Sequence, residues 1–109
     1  MDILDLTALS RAHLDVARQA SNGRSSTKLL GDHKATLRAN LVALAAGATL
    51  QDHESPGEAT LWVLEGSVSF HAGDEQVTLN AGTLLVIPPE RHGLTAVTDA
   101  VLVLTVAKV

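Results

Sequence analysis

From Gly23 onward the chain is a succession of short Leu-, Val- and Thr-rich runs separated by turn residues, and this punctuation limits the fold more than any other feature. The breaks fall at Gly31-Asp32, Ala46-Gly47, Ser55-Pro56-Gly57, Glu65-Gly66, Ala72-Gly73-Asp74-Glu75, Asn80-Ala81-Gly82, Pro88-Pro89 and Thr98-Asp99. Each uses residues that close turns for a physical reason: Gly reaches left-handed backbone, Pro offers no N–H to a ladder, and Asn or Asp bonds its own main chain. Runs of this length and spacing predict about eight strands of an all-β sandwich or barrel.

Within the runs, Leu37, Ala39, Leu41 and Ala43 alternate with Thr36, Arg38 and Asn40, which predicts a strand with one buried face. Leu84-Leu85-Val86-Ile87 and Val101-Leu102-Val103-Leu104 are apolar on both faces. Such strands are covered twice, by a second sheet, a helix or another subunit, and we expect a homodimer. Ahead of the strands, Leu9, Ala12, Val16 and Ala20 fall at helical spacing, with Asp5 or Thr7 as cap and Asn22-Gly23 as stop. We therefore expect a helical segment over residues 1–24, packed outside a single β domain over residues 25–109.

Composition removes several classes of function. The chain is 46% apolar and 18% charged with a net charge of −4, the balance of a folded globular domain. Its eight Lys and Arg are scattered, and Trp62 and Phe70 are its only aromatic residues, so no basic stacking platform for nucleic acid exists. There is no Cys, which excludes disulfides and thiolate metal sites. No run approaches the ~20 apolar residues of a membrane helix. The acidic start Met1-Asp2-Ile3-Leu4-Asp5-Leu6 is unlike a secretion signal, and we expect a cytoplasmic protein without membrane association. Phosphate-binding loops, Gly-x-Ser-x-Gly and His-Glu-x-x-His are absent, so no nucleotide cofactor is expected.

Two stretches carry a family resemblance. In the first, five residues separate Gly47 from His53, followed by Ser55, Glu58, Ala59 and Gly66. In the second, five residues separate Gly82 from Pro88, followed by Glu90, Arg91 and His92, and 15 residues separate Gly66 from Gly82. These stretches resemble the two motifs of the cupins, the RmlC-like superfamily of double-stranded β-helix (jelly-roll) barrels. The resemblance implies such a barrel with one N-terminal helix, and a pocket in which two His on one strand, a Glu and a third His hold a divalent metal.

The ligand set is depleted. His53 fills the first position and His92 the last, although the gap from Pro88 is one residue short and Glu90 stands where Gly is usual. Ser55 replaces the second His, and counting six residues back from Gly66 lands on Ala59. A one-residue offset turns Glu58 to the opposite strand face unless a bulge at Pro56-Gly57 reorients it. The candidate metal ligands are therefore His53, His92 and Glu58, with Zn, Fe, Mn, Ni and Cu not distinguishable.

Against this stand plainer readings: two neutral His hydrogen-bonded at a barrel rim, and Glu58 as a solvated loop carboxylate. Ser55, Leu61 and Val63 are candidate pocket residues, with Leu37 and Leu41 as further lining, which predicts a small or weakly polar ligand. His13, His33 and His71 have no partner at ligand spacing and read as structural or exposed, Glu54 as surface. Arg91 reads as an exposed rim residue able to attract an anion. Trp62 falls on the face opposite Leu61, where burial against a dimer partner is preferred to substrate stacking. The expected function is a small-molecule-binding cupin in a sensor or accessory role. A metal-dependent oxygenase or isomerase is the alternative, and a non-catalytic interaction module the third.

Overall fold

The structure, a computed structural model, describes residues 1–55 and 57–107. Asp5 starts the one helix among the described residues by accepting the backbone N–H of Ala8 at 3.1 Å, and α1 runs over Leu6–Gln19 before Ala20 turns to extended backbone. Leu14 and Ala17 pack on Leu41, Ala43 and Val101 of the sheet beneath. Arg18 ties the helix to the turn before the last strand, donating to Asp99 Oδ2 at 2.7 Å, while Asp99 Oδ1 accepts the N–H of Ala46. The bond from Arg18, then that from Ala46, hold the Asp99 carboxyl below its ordinary value. Because the folded-state value is the lower one, this tie persists at neutral pH and is lost as acid protonates Asp99.

Among the described residues nine strands follow, where the turn spacing predicts about eight: β1 (Arg24–Leu30), β2 (Leu37–Leu44), β3 (Thr49–His53), β4 (Ala59–Glu65), β5 (Ser67–Ala72), β6 (Glu75–Asn80), β7 (Leu84–Val86), β8 (His92–Ala96) and β9 (Ala100–Ala107). They form a five-stranded sheet in the order β1-β2-β9-β4-β7 and a four-stranded sheet in the order β3-β8-β5-β6, every pairing antiparallel. The inner faces share one core. Val42, Leu44, Leu61, Val63 and Leu102 from the first sheet meet Val68, Phe70, Leu79 and Leu94 from the second. This two-sheet antiparallel layering is consistent with a jelly roll.

Two expected lining residues lie elsewhere. Leu41 is fully buried beneath α1, and Leu37 is 54% exposed. The alternation in β2 marks a buried face, but the layer covering that face is the helix. The parity that points between the sheets is Val42 and Leu44, because a strand sends successive side chains to opposite sides.

Candidate active site between the sheets

A cavity of about 70 Å³ opens between the two sheets. Leu50, Ala59, Leu61, Phe70, Ile87, Leu94, Leu104 and Val106 form its apolar wall, and among the described residues His53 and His92 are its imidazoles. It is about half the size of the ~150 Å³ apolar cavity that accepts benzene in an engineered protein. It therefore admits a ligand of a few heavy atoms, or the apolar end of a longer one.

The two imidazoles are brought together by register. His53 on β3 pairs directly with His92 on β8, and their ring centroids lie 4.5 Å apart in an edge-to-face arrangement. His92 is buried at 4% exposure and lies against Phe70 with centroids 5.5 Å apart, whereas His53 stands at the exposed rim. Each ring is oriented by a backbone carbonyl two residues back. His53 Nδ1 meets the oxygen of Gln51 at 3.1 Å, and His92 Nδ1 meets that of Glu90 at 2.8 Å. A carbonyl only accepts, so Nδ1 carries the proton in the neutral ring and Nε2 keeps its lone pair. Carbonyl-oriented imidazoles with bare Nε2 atoms are the form in which His binds a metal or accepts a proton from a ligand.

The remaining candidates are placed apart from this pair. Ala59 lines the cavity and is buried. Glu58 is exposed and borders a separate, wider groove with Ser55, Thr60, Val86 and Pro89. Its backbone oxygen is fixed by the N–H of Ala107 at 3.0 Å. The count from Gly66 thus places the small residue inside and the carboxylate outside. Ser55 donates to the carbonyl of Gly57 at 3.2 Å and does not line the cavity. Leu61 is part of the wall, while Val63 lies deeper in the core, fully buried. Pro56 lies outside the described residues. Among the described residues no group of three or more His, Asp or Glu converges in a way that could hold a metal.

Sequence reasoning missed Phe70 as a cavity wall, although Val68, Phe70 and Ala72 alternate with polar neighbours. It also left His71 without a partner. In the folded chain His71 Nε2 meets Asp52 Oδ1 at 2.5 Å on the outer face of the four-stranded sheet. The intervening strand carries Gly93 there, where a Cβ would stand 2.4 Å from the same oxygen. Only a residue without a side chain lets β3 reach β5 across β8. Arg91 donates to Glu54 Oε1 at 3.3 Å and to the carbonyl of Asp52 at 3.2 Å, so its charge is engaged at the rim by a highly exposed carboxylate. His13 Nδ1 lies 2.7 Å from Ser25 Oγ under the helix.

Residues 40–108 match the family model described as the cupin domain. A conserved protein of unknown function from Streptococcus pyogenes superposes with a TM-score of 0.76 at 24% identity, covering 99% of this chain and 88% of that one. An RmlC-like cupin from Desulfovibrio desulfuricans gives 0.67 at 28% identity, covering 77% and 81%. The salicylate 1,2-dioxygenase of Pseudoaminobacter salicylatoxidans gives 0.80 at 21% identity, covering 95% of this chain but 35% of that one. No curated protein matches the chain. Among the described residues no helix is long and apolar enough to cross a membrane. With the matched model spanning both glycine-bounded motifs and the whole four-stranded sheet that carries His53 and His92, the chain belongs to the cupin family.

Proposed function

We propose that the protein holds a small, weakly polar molecule in the cavity between its sheets, and that His53 and His92 present their Nε2 atoms to that molecule or to a divalent metal bound with it. Its role is that of a cytoplasmic sensor or accessory binding protein. The observation that carries this reading is the pair of carbonyl-oriented imidazoles at the end of an otherwise apolar cavity. Binding sites of this kind are mostly apolar, with a few placed polar groups that fix orientation.

Two imidazoles supply half of a four-coordinate sphere, and among the described residues no carboxylate completes it. A metal here takes its other ligands from the bound molecule or from water, leaving positions open. An oxygenase or isomerase would use those same open positions. The depleted donor set places that reading second.

Metal analysis of protein purified without chelator tests the proposal. A single stoichiometric divalent ion is expected, lost in His92→Ala and retained in Glu58→Ala. Protein that binds no added metal would remove the metal from the account. Loss of metal in Glu58→Ala would show that this carboxylate reaches the site.

A further inference from the structure

The five-stranded sheet is one strand wider than the sheet facing it, and the surplus shows in what its inward faces carry. On β4 and β9 those faces are dry, with Ala59, Leu61, Leu104 and Val106 walling the cavity. Further out, toward β1, the same face is wet. Directly opposed residues of an antiparallel pair point to one side, so the core residues Val42 and Leu44 set the direction of their partners Ser26 and Arg24. Lys28 and its partner Asn40 follow two residues along. Arg24, Ser26, Lys28 and Asn40 face inward yet are all exposed, which makes them an open shelf beside the cavity.

The charge on this shelf has one sign. In a chain of net charge −4, β1 and β2 hold Arg24, Lys28 and Arg38 and no Asp or Glu. Arg38 folds its guanidinium onto the carbonyls of Ala35 and His33. Among the described residues, Arg24 and Lys28 take part in no ion pair. The shelf is continuous with the cavity in two ways. Lys28, Asn40 and Leu104 form one row across β1, β2 and β9. Leu50 of β3 borders both the cavity and a groove of about 370 Å³ that runs past Asn22, Arg24, Ser26 and Val42.

We propose that this shelf is the head-group site for the cavity's ligand, and that the ligand is a small amphipathic anion: an apolar end between the sheets and a carboxylate or phosphate over Lys28 and Arg24. The inference rests on the reading of the cavity as the binding site and adds the class of molecule. The cavity holds only a few heavy atoms, so a longer ligand emerges from it. Two strand spacings of ~4.8 Å separate Leu104 from Lys28, roughly 10 Å, and the lysine stem reaches back over part of that, so a ligand of about six carbons connects the two. Neutral His53 and His92 offer lone pairs, which hold a donor or a metal and turn an anion away. Two unpaired cations on a chain that otherwise repels anions concentrate the attraction at one place.

The test is a titration of the protein, as purified, with hexan-1-ol, hexanoate, hexyl phosphate and hexylammonium, followed by amide NMR shifts at low salt. Hexanol sets the contribution of the apolar end. At least one of the two anions is expected to bind about fivefold tighter or more, the tighter of them identifying the head, and hexylammonium to bind more weakly than hexanol. High salt should shrink the anion's advantage. Arg24→Gln combined with Lys28→Gln is expected to remove that advantage and leave hexanol binding unchanged. Arg11→Gln, which deletes an exposed charge on α1, should alter neither. Hexanol binding at the cavity with both anions no tighter would overturn this inference and leave the cavity reading standing. An anion preference that survives the double substitution but disappears in His92→Ala would put the head on the imidazoles and overturn it too. If none of the four probes binds, the cavity reading falls and this one with it.

Discussion

Gly66→Ala is expected to lower the unfolding temperature by 10 °C or more, or to abolish soluble expression. Gly66 forms the tight link from β4 to β5 with φ +74°, and a Cβ there would stand 2.0 Å from the carbonyl oxygen of Asp99 and 2.9 Å from Cα of Ala100. Left-handed backbone costs an L-residue ~1–2 kcal/mol. The overlap is with main chain, which no rotamer change relieves, and forcing it apart adds ~1–3 kcal/mol. Against a total stability of about 5–15 kcal/mol this is a large share, at on the order of 4–8 °C per kcal/mol for a small domain. Gly82→Ala supplies the control. Its φ is +88°, yet a Cβ there meets nothing within 4 Å, so only the conformational part is lost. Thermal melts of the two variants side by side separate strain from collision. Equal losses would show that the Gly66 turn does not press against the β8–β9 turn.

Leu61→Ala is the second large effect, about 2–5 kcal/mol of destabilisation in urea unfolding. Leu61 is 1% exposed and serves two purposes, as a core side chain and as part of the cavity wall. Removing its isobutyl end deletes apolar contacts and merges the lost volume with the existing 70 Å³. The same variant should then be stabilised by a saturating apolar probe such as benzene, which the parent cavity is too small to take. Leu61→Met, which conserves volume, should cost less than ~1.5 kcal/mol. A Leu61→Ala variant as stable as wild type, or one indifferent to benzene, would contradict the placement of this side chain at the cavity.

How much of this was legible beforehand depends on the kind of information each residue carries. Gly66 and Gly82 were readable as punctuation because a positive φ excludes most other residues, and the chain does turn there with φ +74° and +88°. The count from Gly66 to Ala59 was readable because strand parity is strict, and Ala59 faces the cavity while Glu58 does not. The partner of a face is harder to read. Leu37 and Leu41 announced a buried side of β2, but alternation is silent on whether a sheet or a helix does the covering. The pairing of His71 with Asp52 lay further out of reach. It depends on the order β3-β8-β5 and on Gly93 in the middle strand, a fact of topology rather than of spacing. Likewise the carbonyls of Gln51 and Glu90 that orient the two imidazoles are main-chain groups, which every residue possesses and no motif displays.

The central claim is that His53 and His92 offer two bare Nε2 atoms to one ligand, and long-range proton–nitrogen correlation spectra of the five histidines test it most directly. Near neutral pH the account predicts Nδ1–H tautomers for His53 and His92. On titration with zinc, their Nε2 resonances should move together to an end point at equimolar metal while those of His13, His33 and His71 stay in place. Zinc shifts confined to the other three histidines, or Nε2-protonated rings at positions 53 and 92, would contradict it.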